Sequence, residues 1–201
     1  MKDSSIVRTT STMLAGLLDV QNETAWREFD ERYRPVLHAV ARRMGLVEAD
    51  AEDVAQEAML QFVRDYRRGR YDRRKGRLRS WIQGILRNRI LDLMRRQQRM
   101  AGTRGESVLR TLAEEPRLEE AWEAECRRKI LDDALALLAA QTDLKPSTIE
   151  AFRLYALEDI DAREVASRLG IPLATVYLSK HRCARKLQEI VSELTVAYEE
   201  E

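Results

Sequence analysis

Apolar side chains return at three- and four-residue spacing along most of this chain, and no stretch alternates apolar and polar positions long enough for a convincing strand. After a polar, Ser- and Thr-rich arm over residues 1–12, Met13, Leu14, Leu17 and Leu18 begin a first helix. Trp26, Phe29 and Tyr33 mark a second helix over 25–33. Pro35 can open a third as a first-turn residue, with Leu37, Val40, Ala41 and Met44 inward and Gly45 as its stop. The stripe Val54, Ala58, Met59, Phe62 and Val63 predicts a helix from Glu48 to Tyr66. A basic loop follows, and then a long helix from Leu78 to Met100, burying Trp81, Ile82, Ile85, Leu86, Ile90, Leu93 and Met94.

The pattern then changes. Residues 101–117 hold Gly102, Gly105 and Pro116, have little periodicity and turn acidic, so the linker is drawn over 101–121. Helical spacing resumes with Trp122, Ile130, Leu131, Leu135 and Leu138, and Pro146 marks another start before Ser147–Leu157. The predicted fold class is all-α, with two helical domains, 13–100 and 122–201, joined by a flexible acidic linker.

The sharpest local pattern is Asp161–Leu187. Asp161 and Glu164 form a D-x-x-E variant of the capping box and open a short helix with Val165, Ala166 and Leu169 inward. Gly170 supplies a tight turn, Ile171 plugs the angle, and Pro172 pre-sets a second helix with Val176, Cys183 and Leu187 buried. That helix presents Tyr177, Leu178, His181, Arg182, Arg185 and Lys186 outward, with no acid before Glu189. A basic helix after such a turn has the geometry that enters a DNA major groove. A plain two-helix corner is the alternative.

Composition narrows the class. The 201 residues suffice for one large or two small domains with a real core. Cys126 and Cys183, the two cysteines, cannot make a disulfide framework and fit a reducing compartment. No apolar run approaches a membrane span, and Met1–Leu18 lacks the layout of a signal peptide, so a soluble, cytoplasmic protein is expected. The formal net charge of +1 hides strong segregation. Residues 64–104 carry 15 basic and 3 acidic side chains, and residues 105–125 carry 2 and 7. The first block is an electrostatic footprint for a polyanion, a solvated helical face being the bland alternative.

Four stretches in order resemble an RNA polymerase sigma factor of the extracytoplasmic-function group, over roughly Ser11 to Val191. Residues 25–37, beginning Ala-Trp-Arg-Glu-Phe, resemble the start of the family's region two. Asp53-Val-Ala-Gln-Glu57 is similar to its D-x-x-Q-E helix, which docks on the clamp coiled coil of the polymerase. Gly76–Arg96 resembles the helix that melts and reads the minus-ten element, and Thr148–Leu187 resembles region four, which reads the minus-thirty-five element. The resemblance implies core polymerase (clamp coiled coil and flap) and promoter DNA as partners and leaves room for an anti-sigma factor. It implies no cofactor, metal, membrane or catalysis. Departures are Leu78 and Met59 in place of aromatics, Gly84 at a helix centre, and Ala184 where an arginine is frequent.

Each assignment has a physical counterpart. Asp53, Gln56, Glu57 and Leu60 fall three, four and seven residues apart and share one helix face, offered to a basic or polar partner. A catalytic carboxylate pair is the competing reading of Asp53 and Glu57, but no His, Lys or Gly-rich loop supports it. The family implies that the loop 68–77 forms a pocket for unstacked bases. There Arg70, Arg73, Arg74, Lys75, Arg77 and Arg79 can follow phosphates, as can Arg64, Arg67 and Arg68. Tyr71, its one aromatic, is a base platform or a lid on the core. Arg87 joins the minus-ten set, and Asn88 sits where the family has a base-contacting amide. Trp81 reads as core rather than a strand-separating wedge. In region four the family implies that Tyr177, Leu178 and His181 approach base edges while Arg182, Arg185 and Lys186 hold phosphates; Thr175 joins them. Lys180 occupies a position often apolar, so either its stem snorkels or the facing is off by one. The competing function is a helix-turn-helix regulator of duplex DNA that never binds polymerase. A short tail, Ser192–Glu201, leaves no room for an appended sensor domain.

Overall fold

The computed structural model describes residues 10–72, 74–101, 115–141 and 144–199. Among the described residues there are helices and turns and no strand, as an all-α reading requires. The chain divides into two compact units. One comprises the chain up to Lys129 with the last residues from Tyr198, and the other spans Ile130–Ala197.

The first unit is built from α1 (Thr10–Leu17), α2 (Glu23–Arg43), α3 (Glu48–Arg67), α4 (Leu78–Ala101) and the first half of α5 (Glu115–Gln141). Asn22 caps α2 by accepting the Ala25 amide at 3.1 Å. In α4 the buried residues Leu78, Ile82, Leu86, Ile90 and Met94 recur every fourth position, and they meet Val54, Ala58, Met59 and Phe62 of α3 in one core. Each such large apolar side chain contributes on the order of 1.5–3 kcal/mol by leaving water. Phe29 and Phe62 stack at the centre, ring centroids 4.8 Å apart.

Two expectations are corrected here. Helix α2 runs unbroken through Pro35, so the two helices drawn over 25–33 and from Pro35 are one. Pro35 removes an amide donor, yet Phe29, Tyr33, Val36, Leu37 and Val40 form a single buried stripe on both sides of it. The stripe outweighs the lost hydrogen bond. Likewise α5 begins at Glu115, inside the segment drawn as linker. Leu118, Ala121 and Trp122 are buried in the first unit's core, so Trp122 does not open the second domain. Pro116 had read as a breaker, but in a first helical turn its missing amide costs nothing.

The second unit contains the rest of α5, then α6 (Pro146–Phe152), which continues into a π-helical turn (Arg153–Leu157), α7 (Ala162–Leu169) and α8 (Leu173–Glu199). Ala151, Leu154, Ala162, Val165 and Val176 form the centre of its helix-turn-helix. Asp161 caps α7 through Oδ1, accepting the Arg163 amide at 2.9 Å and the Glu164 amide at 3.4 Å. Gly170 closes it at φ +63°, a left-handed conformation that costs any other L-residue strain. Helix α8 continues through the segment read as a tail, with Leu194 and Ala197 buried.

Candidate nucleic-acid interface

On α3 the pattern Val54, Ala55, Ala58, Met59 inward leaves Asp53, Gln56, Glu57 and Leu60 outward, and all four are exposed. Leu60 is 44% exposed, high for a leucine beside a core. Glu57 faces Arg89 of α4 at 3.7 Å, a loose pair that leaves its carboxylate largely in water. The ridge is therefore polar, acidic at its start and apolar at its end.

The basic loop hangs from an aromatic column. Phe62 meets Trp81 edge-on at 5.2 Å, Trp81 stacks on Tyr71 at 5.2 Å, and Tyr71 lies 6.2 Å from Tyr66. Burial pushes the Tyr66 phenol above its ordinary pKa. Tyr71 is half-buried, with one face committed to Trp81. Trp81 is thus the link between core and loop, which periodicity alone did not reveal.

The arginines are not equivalent. Arg70 donates to the buried carboxylate of Asp65 at 2.8 Å, and Gln61 holds the other Asp65 oxygen at 2.6 Å. Gly69, at φ +68°, ends α3 and turns the chain into this bond. Arg67 donates to the Leu17 carbonyl at 2.8 Å and ties α3 to the end of α1. Arg70 and Arg67 are thus tied to the fold although exposed, while Arg74, Lys75 and Arg77 are exposed without such a long-range tie. Arg74 is 93% exposed and only weakly tethered, 3.4 Å from Asp72. Arg73 lies outside the described residues.

Arg79 faces α5, paired with Glu119 and, at 3.2 Å, with Glu123. Further along α4, Arg87 and Asn88 line a cleft of about 570 Å³ whose opposite wall is Pro116, Leu118 and Glu119 of α5. An acidic segment covering the basic block is what the charge segregation suggests; that Glu119 and Glu123 reach Arg79 comes from the structure. Their only sequence trace is the acidic count of residues 105–125.

In the second unit Val176, Ser179 and Cys183 form the buried edge of α8. The Ser179 hydroxyl donates to the Val176 carbonyl at 2.7 Å, and the Cys183 thiol donates to Thr148 O at 3.8 Å. Tyr177, Leu178, His181, Arg182, Arg185 and Lys186 are all exposed, and Thr175 is half-buried. Lys180 is also exposed, its ammonium 5.5 Å from the Tyr155 ring centroid, and Tyr155 meets Tyr177 edge-on. The helix facing is as drawn, and Lys180 lies over an aromatic instead of in the core. Lys186 donates to Glu189 at 2.8 Å, which holds the amine above and the carboxyl below their ordinary pKa values.

Residues 29–100 match the family model for sigma-70 region 2. Over 175 residues, 84% of its length, the chain is 26% identical to the ECF RNA polymerase sigma factor SigE of Mycolicibacterium smegmatis (strain ATCC 700084 / mc(2)155). It spans 62% of the length of that curated relative. The region-2 match covers α3, the basic loop and nearly all of α4, the elements that carry the exposed ridge and the aromatic column. Among the described residues no helix is long and apolar enough to cross a membrane, and no group of three or more His, Cys, Asp or Glu could hold a metal ion.

Proposed function

We propose that this chain is an alternative sigma factor that binds core RNA polymerase, recognises promoter DNA and promotes strand opening at initiation, with no chemistry of its own. Asp53, Gln56, Glu57 and Leu60 dock on the clamp coiled coil. The second unit adds the flap contact. Arg74, Lys75, Arg77 and Arg73 draw in the minus-ten strand, Arg70 and Tyr71 shape the loop that receives it, and Arg79, Arg87 and Asn88 line its path along α4. Tyr177, Leu178 and His181 read the minus-thirty-five element while Thr175, Arg182, Arg185 and Lys186 hold its phosphates.

The observation that carries this reading is the α3 ridge. A regulator of duplex DNA has no use for an exposed leucine continuing a carboxylate–amide face one helix away from a basic loop. The test is run-off transcription with core polymerase on a library of genomic upstream regions, with and without the chain. Promoter-specific transcripts are expected only with it, and their absence overturns the proposal. D53K/E57K should weaken core binding about tenfold, some 1.4 kcal/mol, and leave duplex binding unchanged. Equal loss in both would reject the division of labour.

A further inference from the structure

The acidic wall on α4 is a built contact. Glu119 and Glu123 of α5 both reach Arg79, while Leu118 and Trp122, at 4% and 2% exposure, anchor the same helix in the core. One turn earlier, Pro116 and Leu118 stand across the cleft from Arg87 and Asn88. The first turns of α5 thus lie over the stretch of α4 that the proposed function gives to the minus-ten strand. Carboxylates occupy positions where a strand would bring phosphates.

The cover is imperfect in a telling place. Gln83 lines the same cleft, is only 7% exposed, and its Nε2 has no hydrogen-bond partner among the described residues. Buried amides are nearly always paired, and an exception requires an explanation. A donor that α5 encloses but does not satisfy suits an acceptor that arrives when α5 moves, such as a phosphate or a base edge.

We propose that residues 115–123 form an internal strap that competes with single-stranded nucleic acid for α4, so that the free chain binds DNA weakly until the strap is displaced. This rests on the sigma-factor reading for the identity of the strand, but the contact itself is tested without polymerase. Trp122 keeps the displaced strap tethered, and the two ion pairs set how readily it opens.

The experiment measures binding of a fluorescent random-sequence single-stranded oligonucleotide to the full chain over a series of salt concentrations. E119Q/E123Q is compared with E23Q/E31Q, which removes two exposed carboxylates of α2 that, among the described residues, form no ion pair with α4. The strap variant should bind about three- to tenfold tighter than the parent at low salt, with a log–log salt slope steeper by about 0.7 as Arg79 meets a phosphate. Hydrogen exchange should rise over 115–123 and fall over 79–88 on adding the oligonucleotide. Unchanged affinity for E119Q/E123Q, equal tightening by E23Q/E31Q, or no binding by either variant overturns the strap. None of those results bears on run-off transcription, which alone decides the sigma-factor reading.

Discussion

Cys183 reads in the sequence as an inward position on a basic helix, and the structure buries it against Thr148 of α6. Its thiol is fully buried, bonded to Thr148 O, and burial raises its pKa above the ordinary thiol value. The folded state therefore holds the proton more tightly than the unfolded chain. That advantage is complete below the unfolded thiol value of about 8.5 and is lost as pH rises towards the folded one. Cys183→Ala should destabilise the second unit at pH 7, and the stability gap between the two proteins should narrow as pH climbs past about 8.5. Urea titrations followed by circular dichroism at pH 7 and pH 10 check this; a gap that widens refutes it. Lys180 shows what spacing could not tell at this scale. Ser179, small and bonded to the Val176 carbonyl, takes the buried position between Val176 and Cys183, and the lysine covers Tyr155.

Elements are where the sequence spoke most clearly and also where it misled. Four-residue spacing was enough to draw α3 and α4, because their buried stripes are nearly unmixed with polar groups. Proline gave the errors. Pro35 is an exposed residue inside α2, and its ring leaves the Glu31 carbonyl without the usual helical donor. Pro35→Ala should restore that bond and stabilise the first unit by about 2 kcal/mol, the roughly 3 kcal/mol helix penalty less the entropy that proline removes from the unfolded chain. A higher urea midpoint at unchanged slope is the expected result; a lower one would mean the helix depends on the ring. Pro116 misled in the same way, hiding a helix whose only apolar evidence was the Leu118–Trp122 pair. The candidate site was legible as residue types, ridge and basic loop alike. Which arginines are tied down was not, since Asp65, Leu17 O and Glu119 lie 5, 50 and 40 positions from the groups they hold.

For the whole molecule, the near-neutral total is a sum of segments of opposite charge. Counting arginines in residues 64–104 overstates the charge open to DNA, because Arg67 and Arg70 hold the fold and Arg79 is matched by α5. The described side chains left for phosphates in the loop are Arg68, Arg74, Lys75 and Arg77, all exposed. Counterion release makes this a number: each phosphate contact on a single strand adds about 0.7 to the log–log slope of affinity against salt. R74Q/K75Q/R77Q should therefore flatten the slope by about 2 for a single-stranded oligonucleotide. Replacing three exposed cations of the second unit, K145Q/R163Q/R168Q, should barely move it. If both triple variants flatten it equally, the attraction belongs to net charge alone and the loop has no privileged place. If only the first does, binding is set by where the charge is left unmatched, which a total of +1 conceals.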